Sequence, residues 1–213
     1  MSAIRHNDGP PFDAVIVVGS QGALHAFQVV VGQFTAELPV AVVFDLHRAI
    51  PSGISERLVE RQSVLPVRPA VPGDRLEPAT IYMTPGNCRM VVDEDRMLGV
   101  LDGADPDGGG WLPDPLLSSA AGAYGPRLIA VVLSGRLEGG AQGAREVKRY
   151  GGRVLVQDPE TAAAASMPTA ALATGAVDFA LPPESIGKAI VALCAASGAA
   201  ELFRVRLNAG VRG

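Results

Sequence analysis

Residues Asp13–Phe27 read DAVIVVGSQGALHAF. A run of β-branched residues stops at Gly19, a serine follows, and apolar residues then recur at helical spacing. A strand, a small-residue bend and a helix N-terminus in that order serve two chemistries. Either the turn cradles a phosphate on helix amides, or it lifts Ser20 out as a nucleophile. The same alternation continues downstream. Short β-branched runs bounded by Gly, Pro or Asp lie at 14–18, 40–44, 81–84, 90–92, 128–133 and 153–157. Helical patterns fall between or after them, at 23–37, 52–62, 113–122, 142–150, 169–174 and 185–195. Strands alternating with helices predict an α/β fold: a mainly parallel, doubly wound sheet with helices on both faces. The segment 71–101, VPGDRLEPATIYMTPGNCRMVVDEDRMLGVL, breaks that rhythm with turn signals every few residues. It is expected to form an antiparallel hairpin addition.

A chain of 213 residues fits one such domain. The expected organisation is a polar lead over 1–13, a domain over 14–198, and a tail over 199–213 that carries Arg204, Arg206 and Arg212. The hydrophobic fraction of 48% and charged fraction of 19% describe an ordinary globular core. A net charge of −4 argues against a broad nucleic-acid surface, which needs clustered cations. Cys88 and Cys194 belong to no close-spaced pair, so neither a disulfide framework nor a metal site is expected, and a reducing cytoplasm is the default. The start MSAIRHNDGPP is too polar for a signal peptide, and no apolar run approaches a membrane span. The stretch DGADPDGGG, Asp102–Gly110, suits a solvated loop, with a cation site as the alternative.

Ser20 can then be weighed. A dinucleotide fingerprint wants Gly-x-Gly-x-x-Gly and an acid ending the next strand. Asp45 would suit that acid, but of the three glycines only Gly19 and Gly22 are present, with Val17 in the first position. No cofactor is expected on this reading. A nucleophile needs a base, an acid to orient the base, and donors for the oxyanion. Of the three histidines, His6 lies in the polar lead, His25 on the first helix, and His47 just beyond the second strand. Parallel neighbours would bring His47 beside the end of the first strand, where the catalytic groups of open α/β sheets gather. The Gly-x-Ser-x-Gly elbow of α/β-hydrolases is not matched, because Val18 stands at its first glycine.

The ordered motifs resemble those of another family, the catalytic domain of the chemotaxis receptor protein-glutamate methylesterases. VVGSQGA matches that family's serine turn, and PVAVVFDLH at Pro39–His47 matches the strand leading to its histidine. GDRLEPATIYMTPG, PDPLLSSAA and VVLSGRLEGGAQG follow in the family's order, and then QDPETA and MPTAAL. The resemblance covers about Val15 to Cys194. It implies Ser20 as nucleophile and His47 as general base, with Gln21, Gly22 and Arg136 around the oxyanion and pocket. The implied substrate is a methyl ester on a glutamate of chemoreceptor cytoplasmic helices, with glutamine deamidation as a related activity; a related signalling protein is the other partner implied. No nucleic acid, metal, cofactor or membrane insertion is implied, and the oligomeric state is left open.

The match breaks at the third catalytic residue. Register fixed by VVLSG puts Gly139 where the family carries aspartate, and Glu138 stands one position earlier. Glu138 is the candidate substitute acid, with Asp45, two residues before His47, as the other. Losing the orienting acid of such a triad costs about 10⁴ in rate, roughly 5 to 6 kcal/mol of barrier. A slow hydrolase is therefore expected, or else a catalytically impaired domain that binds a receptor or signalling partner. Other departures lie at Gln21, where threonine is usual, at Asn87–Arg89 after the TPG segment, and at Gly135–Leu137 in place of a Gly-Met-Gly loop. About a dozen residues precede the first strand, too few for the phosphoacceptor domain of about 100 residues that the resemblance implies ahead of this domain, so the expectation is either a free-standing module or a piece of a longer chain.

Overall fold

Strand β1, Ala14–Gly19, is buried along its whole length, and so is β2, Ala41–Leu46. Unbroken apolar runs of this kind belong to strands covered on both faces. In the computed structural model, which describes residues 11–47, 53–86, 88–101, 113–136 and 138–195, these two strands pair in parallel from Ala14↔Ala41 to Gly19↔Leu46. The other strands are β3 (Val67–Pro69), β4 (Ile81–Met83), β5 (Met90–Val92), β6 (Leu98–Val100), β7 (Leu128–Val132), β8 (Arg153–Gln157) and β9 (Phe179–Leu181). Seven of them form one parallel sheet in the order β3-β4-β2-β1-β7-β8-β9, while β5 and β6 pair antiparallel in a separate two-stranded sheet.

The helices are α1 (Ala23–Val31), α2 (Ile54–Glu60), α3 (Asp114–Tyr124), α4 (Ala141–Arg149), α5 (Ser166–Ala173) and α6 (Pro183–Ala195). Alternate residues of β1 feed two cores. Val15 and Val17 pack with Phe27 of α1, Val59 of α2, and Ile186 and Ile190 of α6. Ile16 and Val18 pack with Leu116 and Leu117 of α3, Ala144 of α4, Met167 of α5, and the β5–β6 hairpin. The sheet is thus covered on both faces, as its residues require.

Three expectations need correction. Ile81–Met83 does not join the hairpin; it pairs in parallel with β2 and β3 inside the main sheet. Its residues are buried on both faces, which a solvent-edge hairpin could not satisfy. The antiparallel addition shrinks to β5–β6, tied back by an isolated Arg75–Met97 bridge. Helix α1 ends at Val31 rather than at 37, because Gly32 caps it and the chain folds into successive turns. Strands β3, β6 and β9 have three residues each, too short to carry a readable period. The lead before residue 11, Asp102–Gly110 and the tail over 199–213 lie outside the described residues.

Helices α3 and α4 pack closely at Gly143, where an added Cβ would come 2.5 Å from the Leu117 Cβ. Overpacking of this kind costs about 1–3 kcal/mol, against about 1 kcal/mol of helix propensity gained by alanine. Gly143→Ala is therefore expected to be net destabilising, by up to about 2 kcal/mol in urea denaturation. A stability about 1 kcal/mol above wild type, the whole propensity gain, would show that α3 and α4 separate without cost.

Candidate active site

The strand order reverses at β1: β2, β4 and β3 extend to one side, and β7, β8 and β9 to the other. In open parallel sheets such a switch point opens a crevice at the carboxyl ends of the strands. Three parts of the chain meet there: Ser20 directly after β1, His47 directly after β2, and the described residues 133–136 and 138–140 after β7. The Gly19↔Leu46 register puts Ser20 and His47 at the same level on neighbouring strands, and the His47 amide donates to the Gly19 carbonyl at 3.1 Å. Ser20 is half-buried and His47 is exposed. His25 lies exposed on α1, and His6 is outside the described residues.

The turn around Ser20 is fastened to the β7 loop. The Ser20 amide donates to the Ser134 carbonyl at 3.0 Å. Ser134, 1% exposed, donates its hydroxyl to the Gln21 carbonyl at 2.6 Å and accepts from the Ala164 amide at 2.9 Å. Its own amide donates to Gln157 Oε1 at 2.9 Å. The next residue continues the stitching: Gly135 N–H reaches the Ala164 carbonyl, and Met167 N–H reaches the Gly135 carbonyl. Close approach explains the small residues. A Cβ at Gly19 would overlap Ala23, and one at Gly135 would overlap the Met167 sulfur and come 2.7 Å from Ser20 Oγ.

The Ser20 hydroxyl accepts from the Arg136 amide at 3.0 Å and donates to Met167 Sδ at 3.7 Å. It does not donate to His47. A thioether is a weak acceptor, so the hydroxyl can leave it at little cost. Gly22 sits at φ 82 as the N-cap of α1, the left-handed region that favours glycine. The Gln21 and Gly22 amides find no acceptor among the described residues, and they stand at the positive end of a nine-residue helix. The Gln21 and Arg136 side chains are exposed beside them.

The carboxylates around this crevice are placed differently from one another. Asp45 is 2% exposed and accepts from Thr84 Oγ1 at 2.6 Å, between β1 and β4. It is enclosed rather than offered to a ribose at the strand end. Glu138 is exposed, and among the described residues its side chain makes no hydrogen bond or ion pair. Gly139 beside it is half-buried. The next glycine is held from outside the loop: Asp114, opening α3, accepts from the Gly140 amide at 3.1 Å and the Gly143 amide at 2.6 Å. Asp114 thereby caps α4 across a helix boundary, since Gly140 has no side chain to cap with. Asp114, Ser134, Gln157 and Met167 were not singled out by sequence reasoning, although all four fall inside the quoted PDPLL, VVLSG, QDPETA and MPTAAL motifs. Among the described residues, no three His, Cys, Asp or Glu side chains cluster to hold a metal ion, and no helix is long and apolar enough to cross a membrane.

An open parallel sheet with a serine, a histidine and first-turn amides gathered at its switch point defines an α/β protein with a crevice at the carboxyl ends of its strands. Comparison with known proteins narrows this. A family model described as CheB methylesterase matches residues 15–190, and the chain belongs to that family. A protein-glutamate methylesterase/protein-glutamine glutaminase of Methanosarcina mazei is 32% identical, covering 83% of this chain and 51% of the relative. One from the group 3 operon of Rhizobium meliloti is also 32% identical, covering 86% and 52%. The chain spans about half the length of these curated relatives. The CheB methylesterase catalytic domain of Thermotoga maritima superposes with a TM-score of 0.76 at 25% identity, covering 84% of this chain and 97% of that domain.

Asp114→Ala removes both acceptors from the α4 N-terminus and is expected to cost about 1–2 kcal/mol. Amide exchange at Gly140 and Gly143 should accelerate with it. Unchanged stability and unchanged exchange would show that solvent replaces the carboxylate freely.

Proposed function

We propose that the domain is a serine hydrolase of the protein-glutamate methylesterase type. Ser20 is its nucleophile and His47 its general base. The observation that carries this reading is the placement of Ser20 and His47 at one level on neighbouring strands, at the switch point, in a chain of this family. For the reaction, the Ser20 hydroxyl turns from Met167 to His47. Its oxygen attacks the side-chain carbonyl of a glutamate methyl ester while the proton passes to the imidazole. The amides of Gln21 and Gly22 hold the oxyanion, with the Gln21 side chain and Arg136 lining the pocket. The imidazolium returns the proton to the departing methoxide, releasing methanol. Water then opens the acyl-enzyme, regenerating Ser20 and leaving a glutamate carboxylate. A glutamine would enter the same cycle and release ammonia. The substrate class is the methylated cytoplasmic helix of a chemoreceptor or a related signalling protein, which places the reaction in the cytoplasm.

Glu138 is the substitute acid in this scheme, since Gly139 offers no carboxylate. Its exposure leaves it little fixed orientation, and the enzyme is accordingly slow. A second reading is favoured by the same substitution together with the Ser20 hydrogen bond to Met167: a domain that docks on the receptor or partner without turnover.

Methanol release from a methylated receptor fragment separates the two. Under the esterase reading, wild type releases methanol and Ser20→Ala loses at least about 10³-fold of that rate. Equal release from both would exclude Ser20 as nucleophile, and release from neither would leave the docking reading. Gly139→Asp is expected to raise the rate, by up to about 10⁴-fold if orientation of His47 is all that is missing. An unchanged rate in that variant would show that another carboxylate already orients the histidine.

A further inference from the structure

We propose that the opposite end of the sheet carries a second binding site, for a small-molecule carboxylate or phosphate, built by Arg75, Arg96 and Tyr124. A cavity of about 200 Å³ opens there, lined by these residues and by Asp13. Asp13 precedes β1 and Ser20 follows it, so the cavity and the candidate active site are separated by the strand's length, about 20 Å at 3.3 Å per residue.

The charge balance at the cavity is uneven. Asp13 is already satisfied by Arg127, whose Nε and Nη2 reach its two carboxylate oxygens at 2.6 and 2.5 Å. This fork holds the Asp13 carboxyl below the usual aspartate range. Arg96 Nη1 adds a third bond at 3.0 Å, a second cation on one carboxylate. Four of the five guanidinium N–H donors of Arg96 remain for another acceptor. Arg75 makes no side-chain hydrogen bond or ion pair among the described residues. The nearby Asp93 is engaged within its own turn, accepting from the Met97 amide at 2.9 Å.

Tyr124 supplies the independent observation. It is 6% exposed, it lines the cavity, and its hydroxyl has no hydrogen-bond partner among the described residues. Burial pushes its pKa up to about 12, so it remains a neutral O–H donor. Buried hydroxyls are normally paired, and the acceptor this one needs has to come from the cavity. Arg96 lies over the same ring, its guanidinium carbon 4.9 Å from the centroid. The chain holds Arg96 there at φ 64, in the left-handed region that residues other than glycine seldom occupy. The two guanidinium groups present donors only, and the neutral phenol adds an O–H donor beside them, a set that complements an oxyanion. The cavity suits one carboxylate- or phosphate-bearing group rather than a nucleotide.

The test is a titration of the full chain with inorganic phosphate and, separately, with succinate, following arginine Nε–H and tyrosine ring signals by NMR. The expected result is saturable binding of at least one probe with a dissociation constant at or below about 1 mM. Which probe binds identifies the ligand chemistry. Arg75→Gln, a change at an exposed position, and Tyr124→Phe should each weaken it about tenfold or more, while Arg68→Gln, outside the cavity, should not. Absence of saturable change with both probes at about 20 mM overturns the proposal. Equal affinity in wild type and both cavity variants, as expected of screening by adventitious ions, overturns it equally.

Discussion

One buried hydroxyl fastens three distant stretches of this chain. Ser134 binds the carbonyl of Gln21 and the amide of Ala164, while its backbone carbonyl receives the amide of Ser20. This junction ties the turn at Ser20 to the end of β7 and to the segment around Ala164. It sits where Gly19 is crowded by Ala23 of α1 and Gly135 by Met167 of α5 and by Ser20, so neither position has room for a side chain. It also requires Gln157, from β8, to take the Ser134 amide, so that the neighbouring strand fixes the residue that fixes the turn. A hydroxyl in this setting is fully paired, which is the condition for a polar group at the heart of a sheet.

The central strands were legible because burial on both faces leaves a plain signature. β1, β2, β7 and β8 are each nearly continuous in Val, Ile, Leu and Ala, and the structure places them at adjacent positions in the sheet. The edges were not legible. β3 reads Val-Arg-Pro, with a proline and a charge that blunt an exposed edge and also erase any strand signal. The turn-rich stretch from 71 to 101 concealed that one of its short runs, Ile81–Met83, belongs to the parallel sheet. Three buried residues are enough to pair but too few to declare their partner.

The site divides along a similar line. Ser20 and His47 could be proposed from position alone, because residues that end neighbouring parallel strands must come near one another. Register with the quoted motif put Gly139 where the resemblance calls for an acid. Where a replacing carboxylate would point was not legible, and Glu138 and Asp45 show why: one is exposed on a loop and the other is enclosed against Thr84, though both looked comparable as letters. Supporting groups escaped notice for a different reason. Asp114 acts on an amide 26 residues away and Ser134 on a carbonyl 113 residues away, so no local pattern announces either.

That reach also orders events in the life of the chain. β1 meets β2 across 27 positions, from Val15 to Val42, but meets β7 across 114, from Val15 to Ile129. Closing the longer loop costs about 1 kcal/mol more in chain entropy, before any contact repays it. The segment that completes the crevice, Ala164–Met167, comes later still in the sequence. During synthesis the β1–β2 half can therefore pair while Ser20 has no junction to hold it. The corner around Ser20 is among the last parts of the domain to be built, so a partly made chain presents this serine before the contacts that hold it exist.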